Sequence, residues 1–159
     1  MKPERNKAVP AVYLILRDGD KILLARRANT GYHDGDYALP SGHVEASELP
    51  LHAIIREVKE EVGIDVLPQD IRFVQFMYRE RQGPDGNDRV DIFFEASKWS
   101  GAVTNTEPDR CDDLSWFPIN SLPSNMIGHI GQVIQSVAKG EIYSELDKNN
   151  TFTSQLMQV

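Results

Sequence analysis

The chain has 159 residues, of which 40% are hydrophobic and 26% are charged, and its formal net charge is −7. This composition is typical of one globular domain with a buried core, and the negative charge argues against binding of nucleic-acid polymers, which depends on Lys and Arg meeting backbone phosphates. The sequence contains no signal-peptide segment, no apolar run that reaches membrane-spanning length and only one cysteine, Cys111, so we expect a cytoplasmic protein that does not bind membranes and in which Cys111 is a small apolar residue rather than a nucleophile.

Two strands are predicted near the start of the chain. Residues 8–16 are rich in Val, Ile and Leu, a second apolar run covers residues 21–25, and an Asp-Gly pair between them favours a hairpin turn. Arg26 and Arg27 follow the second run. They are either ordinary surface charges or groups that steer and hold phosphate oxygens, and we take Arg26 as a candidate for substrate binding.

Residues 29–36, with the sequence NTGYHDGD, combine glycines with Asn and Asp and therefore predict a loop. A short strand is predicted after it, at residues 37–40. Tyr32 and His33 are candidates for contacting the base or sugar of a substrate. The alternative is that Tyr32 packs over the loop and that His33 is solvated.

The most informative stretch is residues 42–64, GHVEASELPLHAIIREVKEEVGI. Apolar residues at helical spacing predict an amphipathic helix, with Ser47 as its N-cap, Pro50 in its first turn and Gly63 just after its last residue. On such a helix Glu57, Glu60 and Glu61 project from neighbouring positions. Like charges at this spacing destabilise a helix, so the cluster favours a ligand set for a hard divalent cation. The alternative is a solvated acidic face that neighbouring basic residues screen in part.

The spacing within this stretch resembles the signature of the Nudix hydrolases at every fixed position. The matching residues are Gly42, Glu48, Arg56, Glu57, Val58, Glu60, Glu61, Gly63 and Ile64. The resemblance implies a Nudix fold, an α/β protein in which a mixed β-sheet is sandwiched between α-helices (α/β/α). It also implies hydrolysis of a diphosphate linkage with Mg²⁺ or Mn²⁺.

The resemblance assigns roles to individual residues. Metal ligands are expected at Glu57, Glu60 and Glu61, with a backbone carbonyl near Gly42. Arg56 is expected to orient the glutamates, and Glu48 to support them from the preceding loop or first turn. Many members of the family have a second glycine directly before the first one, where this chain has Ser41, and this departure is expected to change the turn.

A second hairpin is predicted from residues 71–80 and 89–96, with a turn-rich segment between them. These strands carry several aromatic residues that pack in the core or, alternatively, offer a surface for a nucleobase. The candidates are Phe73, Phe76, Tyr78, Phe93 and Phe94.

Residues 99–113 contain turn residues and acids, and one more strand is predicted at residues 114–118. The run NTEPDRCDDLSWFPINSLP is similar to the corresponding region of MutT-type nucleoside triphosphate pyrophosphohydrolases. The resemblance implies that an acid from this region approaches the metal site. Glu107, Asp112 and Asp113 are the candidates, and the sequence does not choose among them.

A second helix is predicted from Ile127 to Gly140, capped by Ser124 or Asn125, on the sheet face opposite the first helix. Asn125 is also a candidate for substrate binding, and His129 is expected at the surface. We expect one Nudix domain at residues 1–143 and a loosely packed tail at residues 144–159.

These inferences predict a metal-dependent hydrolase of a nucleoside triphosphate or related small nucleotide, with oxidised deoxynucleoside triphosphates among the candidates and a monomer or homodimer as the assembly. The products would be a nucleoside monophosphate and pyrophosphate. Alternatives are a hydrolase of nucleotide sugars, CDP-alcohols or dinucleoside polyphosphates, and a nucleotide-binding regulator without turnover. The general base is open among Glu57, Glu60, Glu61 and the three loop acids.

Overall fold

The computed structural model describes residues 1, 3, 5–81 and 85–155. Within these residues the strands are β1 (Ala8–Asp18), β2 (Lys21–Arg27), β3 (Tyr37–Ala38), β4 (Ser41–His43), β5 (Arg72–Arg79), β6 (Asp88–Ala96), β7 (Cys111–Pro118), β8 (Tyr143–Leu146) and β9 (Phe152–Gln155). The helices are α1 (Pro50–Val62) and α2 (Gly128–Ala138), and a single 3₁₀ turn covers Pro68–Asp70. The predicted hairpins of β1 with β2 and of β5 with β6 are confirmed. Part of the turn-rich segment between β5 and β6, residues 82–84, lies outside the described residues.

The strands form one mixed sheet in the order β3-β2-β1-β6-β5-β8-β9, with β4 paired to β1 and β7 paired to β2. Strand β1 runs parallel to β6, and β5 runs parallel to β8, while the other pairs are antiparallel. The long β1 reaches β4 with its first half and β2 with its last residues. This divided pairing brings β4 next to the second half of α1, where Gly42 approaches Glu57 and Ser41 bonds to Glu61.

Side chains on the two faces of β1 and β2 alternate, as the pleat of a strand requires. Leu14 and Leu23 belong to a core that contains Ile54 and Val58 of α1. Their neighbours Ile15, Ile22 and Leu24 belong to a second core that contains Ile130, Val133 and Ile134 of α2. The two helices therefore cover opposite faces of the sheet, which confirms the α/β/α prediction.

Helix α1 begins and ends mostly as its sequence predicts. Pro50 is its first residue, and Gly63 follows its last residue with a φ of 75° and donates its N–H to the Lys59 carbonyl. The predicted cap at Ser47 is wrong, because Leu49 occupies the N-cap position and no side chain caps this end. Since proline has no N–H, one of the donors that a cap would satisfy is absent.

The predicted caps of α2 are also wrong. Ile127 is the N-cap residue and makes no side-chain capping bond. Asn125 instead donates its Nδ2–H to the Gly35 carbonyl at 2.8 Å and accepts the Tyr37 N–H at its own carbonyl. It fixes the loop at residues 29–36 against the approach to α2.

The predicted loose tail is wrong for residues 144–155. Strand β8 adds to the sheet beside β5, β9 pairs with β8, and Ser144 and Leu146 are buried. Strands of four residues are too short to show a reliable alternation, and β8 depends on a partner far away in the sequence. Residues 156–159 lie outside the described residues.

Of the helices that the structure describes, none is long and apolar enough to cross a membrane.

Candidate active site

A cavity of about 590 Å³ lies between α1, strands β1, β2 and β4, and the loop that precedes β7. One group of its lining residues is acidic: Glu45, Glu57, Glu60, Glu61 and Glu107. A second group is basic: Arg26, Arg27, Arg56, Arg79, Arg89 and Arg110. The cavity therefore combines oxygen donors with a wall of arginines, although the chain as a whole is acidic.

Gly42 and Glu57 approach each other very closely where β4 meets α1. A Cβ atom built on Gly42 would lie 1.9 Å from Glu57 Cδ and 2.1 Å and 2.4 Å from its two carboxyl oxygens. No other amino acid has room at this position unless Glu57 moves. The motif has glycine at position 42 because the carboxylate of Glu57 occupies the space that a side chain would need.

Arg56 ties together three acids of the motif. Its Nε and Nη2 donate to the two oxygens of Glu48 at 2.8 and 2.9 Å, and its Nη1 donates to Glu57 at 2.6 Å and to Glu60 at 3.2 Å. The hydrogen bonds from Arg56 lower the pKa of Glu48 to about 2. Glu48 does not line the cavity, so its place is behind Arg56, in the supporting position expected from its location before α1.

Glu61 is anchored from β4. One of its carboxyl oxygens accepts the backbone N–H of Ser41 at 2.9 Å. Burial raises the pKa of Glu61 to about 8, and the negative charges of Glu57 and Glu107 act in the same direction. Burial also raises the pKa of Glu57, although Arg56 opposes this shift. The backbone of Ser41 makes this contact, so a glycine at the same place is not needed for it.

The loop before β7 brings one of its three acids into the cavity. Thr104 and Thr106 donate their N–H groups to the carbonyls of Val62 and Glu61 at the end of α1. The loop therefore docks on the helix end that carries the glutamates, and Glu107 lines the cavity.

The other two loop acids have structural partners. Asp112 accepts a hydrogen bond from Arg26 Nε at 2.7 Å, and Asp113 accepts one from the Tyr37 hydroxyl. Neither lines the cavity in the described structure. Of the three candidate acids of this loop, the structure brings only Glu107 to the cavity.

The three predicted substrate-binding residues have different surroundings. Arg26 lines the cavity, but its guanidinium pairs with Asp112 and lies 5.8 Å from the centre of the Tyr37 ring. Tyr32 lines the cavity as well. The structure does not bring Asn125 to the cavity, because its side chain is bonded to the loop at Gly35.

Arg27 positions Tyr32. Its Nε donates to the Tyr32 carbonyl at 2.7 Å, its Nη2 donates to the Thr30 hydroxyl at 3.1 Å, and its guanidinium carbon lies 5.6 Å from the centre of the Tyr32 ring. The neighbouring His33 pairs with Asp36 and does not line the cavity.

Several lining residues had no signal in the sequence. Arg79 is buried on β5 and pairs with the buried Asp91, and its Nη2 lies 3.4 Å from the Tyr13 hydroxyl. The sequence feature that could have identified Arg79 is a charged residue at a position of β5 that faces inward. The aromatic side chains predicted as an alternative base surface, by contrast, do not line the cavity.

His129 is not the surface residue that its sequence position suggested. It lines a recess of about 40 Å³ that also touches Tyr13, Tyr32 and Arg79. Burial lowers the pKa of His129 to about 3, and the positive charge of Arg79 adds to this effect. The imidazole is therefore neutral at physiological pH.

Among the described residues, no three Asp, Glu, His or Cys side chains converge closely enough to hold a metal ion as they stand. The present partners explain this, because Arg56 holds Glu57 and Glu60 while the Ser41 N–H holds Glu61. The five cavity glutamates nevertheless offer only hard oxygen donors on adjoining elements, which is the donor chemistry that Mg²⁺ and Mn²⁺ prefer. The donor set fits such an ion once a glutamate exchanges its present partner.

Comparison with known proteins agrees with this geometry. The model of the NUDIX domain family matches residues 7–137, and the chain therefore belongs to this family. In fold it resembles the crystal structure of a MutT NUDIX hydrolase from Burkholderia pseudomallei, with a TM-score of 0.74, 24% identity, and coverage of 82% of this chain and 98% of the other.

Two curated relatives show how broad the family is. The ADP-ribose pyrophosphatase of Methanocaldococcus jannaschii is 31% identical over 81% of this chain and 74% of its own length. The NAD-capped RNA hydrolase NudC of Stutzerimonas stutzeri is 30% identical over 72% of this chain, but the match spans only 38% of that protein.

Proposed function

We propose that this protein hydrolyses a diphosphate linkage in a nucleoside triphosphate or related nucleotide, with Mg²⁺ or Mn²⁺, to a nucleoside monophosphate and pyrophosphate. Oxidised deoxynucleoside triphosphates such as 8-oxo-dGTP are included among the substrates. The observation that carries the proposal is the convergence of five glutamates on one cavity that arginines also line.

Glu57, Glu60 and Glu61 are the proposed metal ligands, with the backbone at Gly42 beside them. When bound there, a divalent ion would neutralise charge on the phosphate oxygens and lower the pKa of a bound water. Arg56 keeps Glu57 and Glu60 in place through charge-assisted hydrogen bonds, and Glu48 in turn fixes the plane of the guanidinium. Three carboxylates of the motif, those of Glu48, Glu57 and Glu60, thus share Arg56 as a hydrogen-bond donor, while Glu61 is held by the Ser41 N–H.

Glu107 is the proposed general base. It is the acid of the loop that lines the cavity, and it lies on a different element from the proposed ligands. It accepts the proton of the attacking water while the water oxygen bonds to phosphorus. The bridging phosphorus–oxygen bond breaks and pyrophosphate leaves.

The opposite wall suits the remainder of a nucleotide. Arg26 and Arg27 present positive charge at the end of β2, and Tyr32 offers an aromatic ring beside them. Phosphate oxygens are favoured near the guanidinium groups, and a base or sugar near the ring.

A second candidate reaction is hydrolysis of ADP-ribose, favoured by the relative from M. jannaschii, whose match covers most of both chains. Nucleotide sugars, CDP-alcohols and dinucleoside polyphosphates are further candidate substrates. A regulator without turnover is disfavoured because every glutamate of the motif is present.

The test is a substrate panel with Mg²⁺, in which phosphate and pyrophosphate release are read separately. It contains nucleoside triphosphates, 8-oxo-dGTP, ADP-ribose, NAD⁺, CDP-choline, UDP-sugars and dinucleoside polyphosphates, with the variant Glu61→Gln as the blank. Selective release of pyrophosphate from a nucleoside triphosphate supports the proposal. Turnover of ADP-ribose alone moves the assignment to the second candidate, and no turnover by a folded protein that binds Mg²⁺ contradicts both.

A further inference from the structure

Arg110 differs from the other arginines that line the cavity. Five of the six have hydrogen-bond partners: Arg26 pairs with Asp112, Arg27 bonds to Thr30 and the Tyr32 carbonyl, Arg56 to three glutamates, Arg79 to Asp91 and Arg89 to Asp85. The guanidinium of Arg110 makes neither a hydrogen bond nor an ion pair with any residue that the structure describes, and this side chain is exposed.

The backbone of Arg110 is nevertheless fixed at both of its polar groups. Its N–H donates to the Glu107 carbonyl at 2.9 Å, and its carbonyl accepts the Ala28 N–H at 2.9 Å. The first bond closes a tight turn that keeps Arg110 close to Glu107. The second attaches it to the residue that follows Arg27 at the end of β2. Arg110 therefore lies between the acidic end of the cavity and the wall formed by β2.

The absence of an ion pair with Glu107 is informative. Arg110 follows Glu107 by three residues in a turn, so an ion pair between the two side chains would be expected. The structure shows only the backbone hydrogen bond between these residues. Both groups stay available for a ligand. Because the guanidinium is already unpaired, a phosphate that binds to it breaks no protein contact, whereas Arg26 or Arg56 would have to leave a carboxylate.

We propose that Arg110 binds the terminal phosphates of the substrate, those that extend past the glutamates towards solvent, and thereby favours nucleoside triphosphates over diphosphates. The inference rests on the proposed function, since it needs a polyphosphate chain in this cavity. Arg110 lines the cavity and is also exposed, so it lies where the cavity opens to solvent. The outer phosphates of a bound chain are the groups that would reach this opening.

The test compares Arg110→Ala and Arg110→Lys with Lys139→Ala, which removes the same charge from the end of α2, outside the cavity. Arg110→Ala is expected to raise KM for a nucleoside triphosphate roughly tenfold, the loss expected for one charge-assisted hydrogen bond. Its kcat should change little, its KM for the matching diphosphate should change less, and Arg110→Lys should recover part of the loss. Lys139→Ala should behave as the wild type.

An equal loss for triphosphate and diphosphate, or the same loss in Lys139→Ala, overturns the proposal. Binding of inorganic tripolyphosphate with Mg²⁺, measured by calorimetry, separates this result from failure of the proposed function. If the wild type hydrolyses no nucleoside triphosphate but binds tripolyphosphate roughly tenfold more tightly than Arg110→Ala, the role of Arg110 stands while the proposed reaction falls. Equal binding by the two proteins, or no binding by the wild type, overturns the role of Arg110.

Discussion

The carboxyl group of Glu57 occupies the space where a side chain on Gly42 would begin, with 1.9 Å between Glu57 Cδ and the position of a Cβ on that glycine. The two residues lie on different elements, β4 and α1, and fifteen positions separate them in the sequence. A requirement for glycine on a strand is thus set by the position of a glutamate on a helix. The relationship links the fold directly to the chemistry proposed for the cavity.

Gly42→Ala is expected to abolish most activity while the protein stays folded. The methyl group collides with the flexible end of Glu57, so the side chain moves and the backbone does not have to. A displacement of about 1 Å at a reacting group can cost about 100-fold in rate, and we expect kcat/KM to fall by at least that factor. Steady-state kinetics and thermal unfolding of the same preparation measure the two effects.

Gly128→Ala is the matched control for this substitution. Gly128 is the first residue of α2, no neighbouring atom lies within 4 Å of its virtual Cβ, and its φ is not in the left-handed region. The Gly128→Ala variant should therefore retain activity. Near-normal activity of Gly42→Ala would show that the position of Glu57 is not needed for turnover.

The sequence predicts those features that depend on local pattern. The strands β1 and β2 and helix α1 with Gly63 at its end follow from periodicity and turn residues. The placement of the two helices on opposite faces of the sheet follows from the resemblance to the Nudix family. The caps predicted at Ser47 and Asn125 are wrong. A residue of a type that often caps helices can use its side chain for another hydrogen bond, and the sequence does not show which one forms. Strands β8 and β9 were missed because short strands are specified by distant partners. The sequence could predict that Glu57, Glu60 and Glu61 belong to the site, but tertiary contacts bring Arg79 and Arg110 to the cavity and His129 to the neighbouring recess.

Glu61→Gln tests the metal assignment. The change keeps the shape and the hydrogen bond from Ser41 but removes one anionic donor, so we expect kcat to fall about 100-fold or more and Mg²⁺ to bind more weakly. Calorimetric titration with Mg²⁺ or Mn²⁺ measures the second effect. The fold should persist, because glutamine removes a buried carboxylate without leaving a cavity. Unchanged metal affinity together with unchanged turnover would exclude Glu61 as a ligand.

Glu107→Gln separates the proposed general base from the other two loop acids. Loss of a general base typically costs about 10²–10⁴-fold in rate, and the loss should appear in kcat while metal affinity changes less than in Glu61→Gln. Asp112→Asn and Asp113→Asn are the comparison, because their carboxylates are bonded to Arg26 and Tyr37 and do not line the cavity. They should keep most of the activity. A large rate loss in Asp112→Asn or Asp113→Asn, with Glu107→Gln unaffected, would reverse the assignment.

Cys111→Ser should leave turnover unchanged even though Cys111 lines the cavity. Burial raises the pKa of its thiol, so the reactive thiolate is disfavoured, and its Sγ lies 3.2 Å from the Asp113 carbonyl, where a serine hydroxyl can also donate. Kinetic constants before and after treatment with a thiol-alkylating reagent check the same point in the wild type. A dead Cys111→Ser variant with a normal melting temperature would require a role for the thiol.

His129 is expected to make stability depend on pH. Its pKa is about 3 in the folded protein and about 6.5 in the unfolded chain, because burial disfavours the charged ring. Between these values the unfolded chain binds a proton that the folded protein does not, so this group removes stability as pH falls below about 6.5. At pH 5.5 the loss from this group is on the order of 1 kcal/mol. In urea unfolding at pH 7.5 and 5.5, His129→Gln should therefore lose less stability on acidification than the wild type by about this amount. Parallel losses in the two proteins would show that His129 is already accessible to protons in the native state.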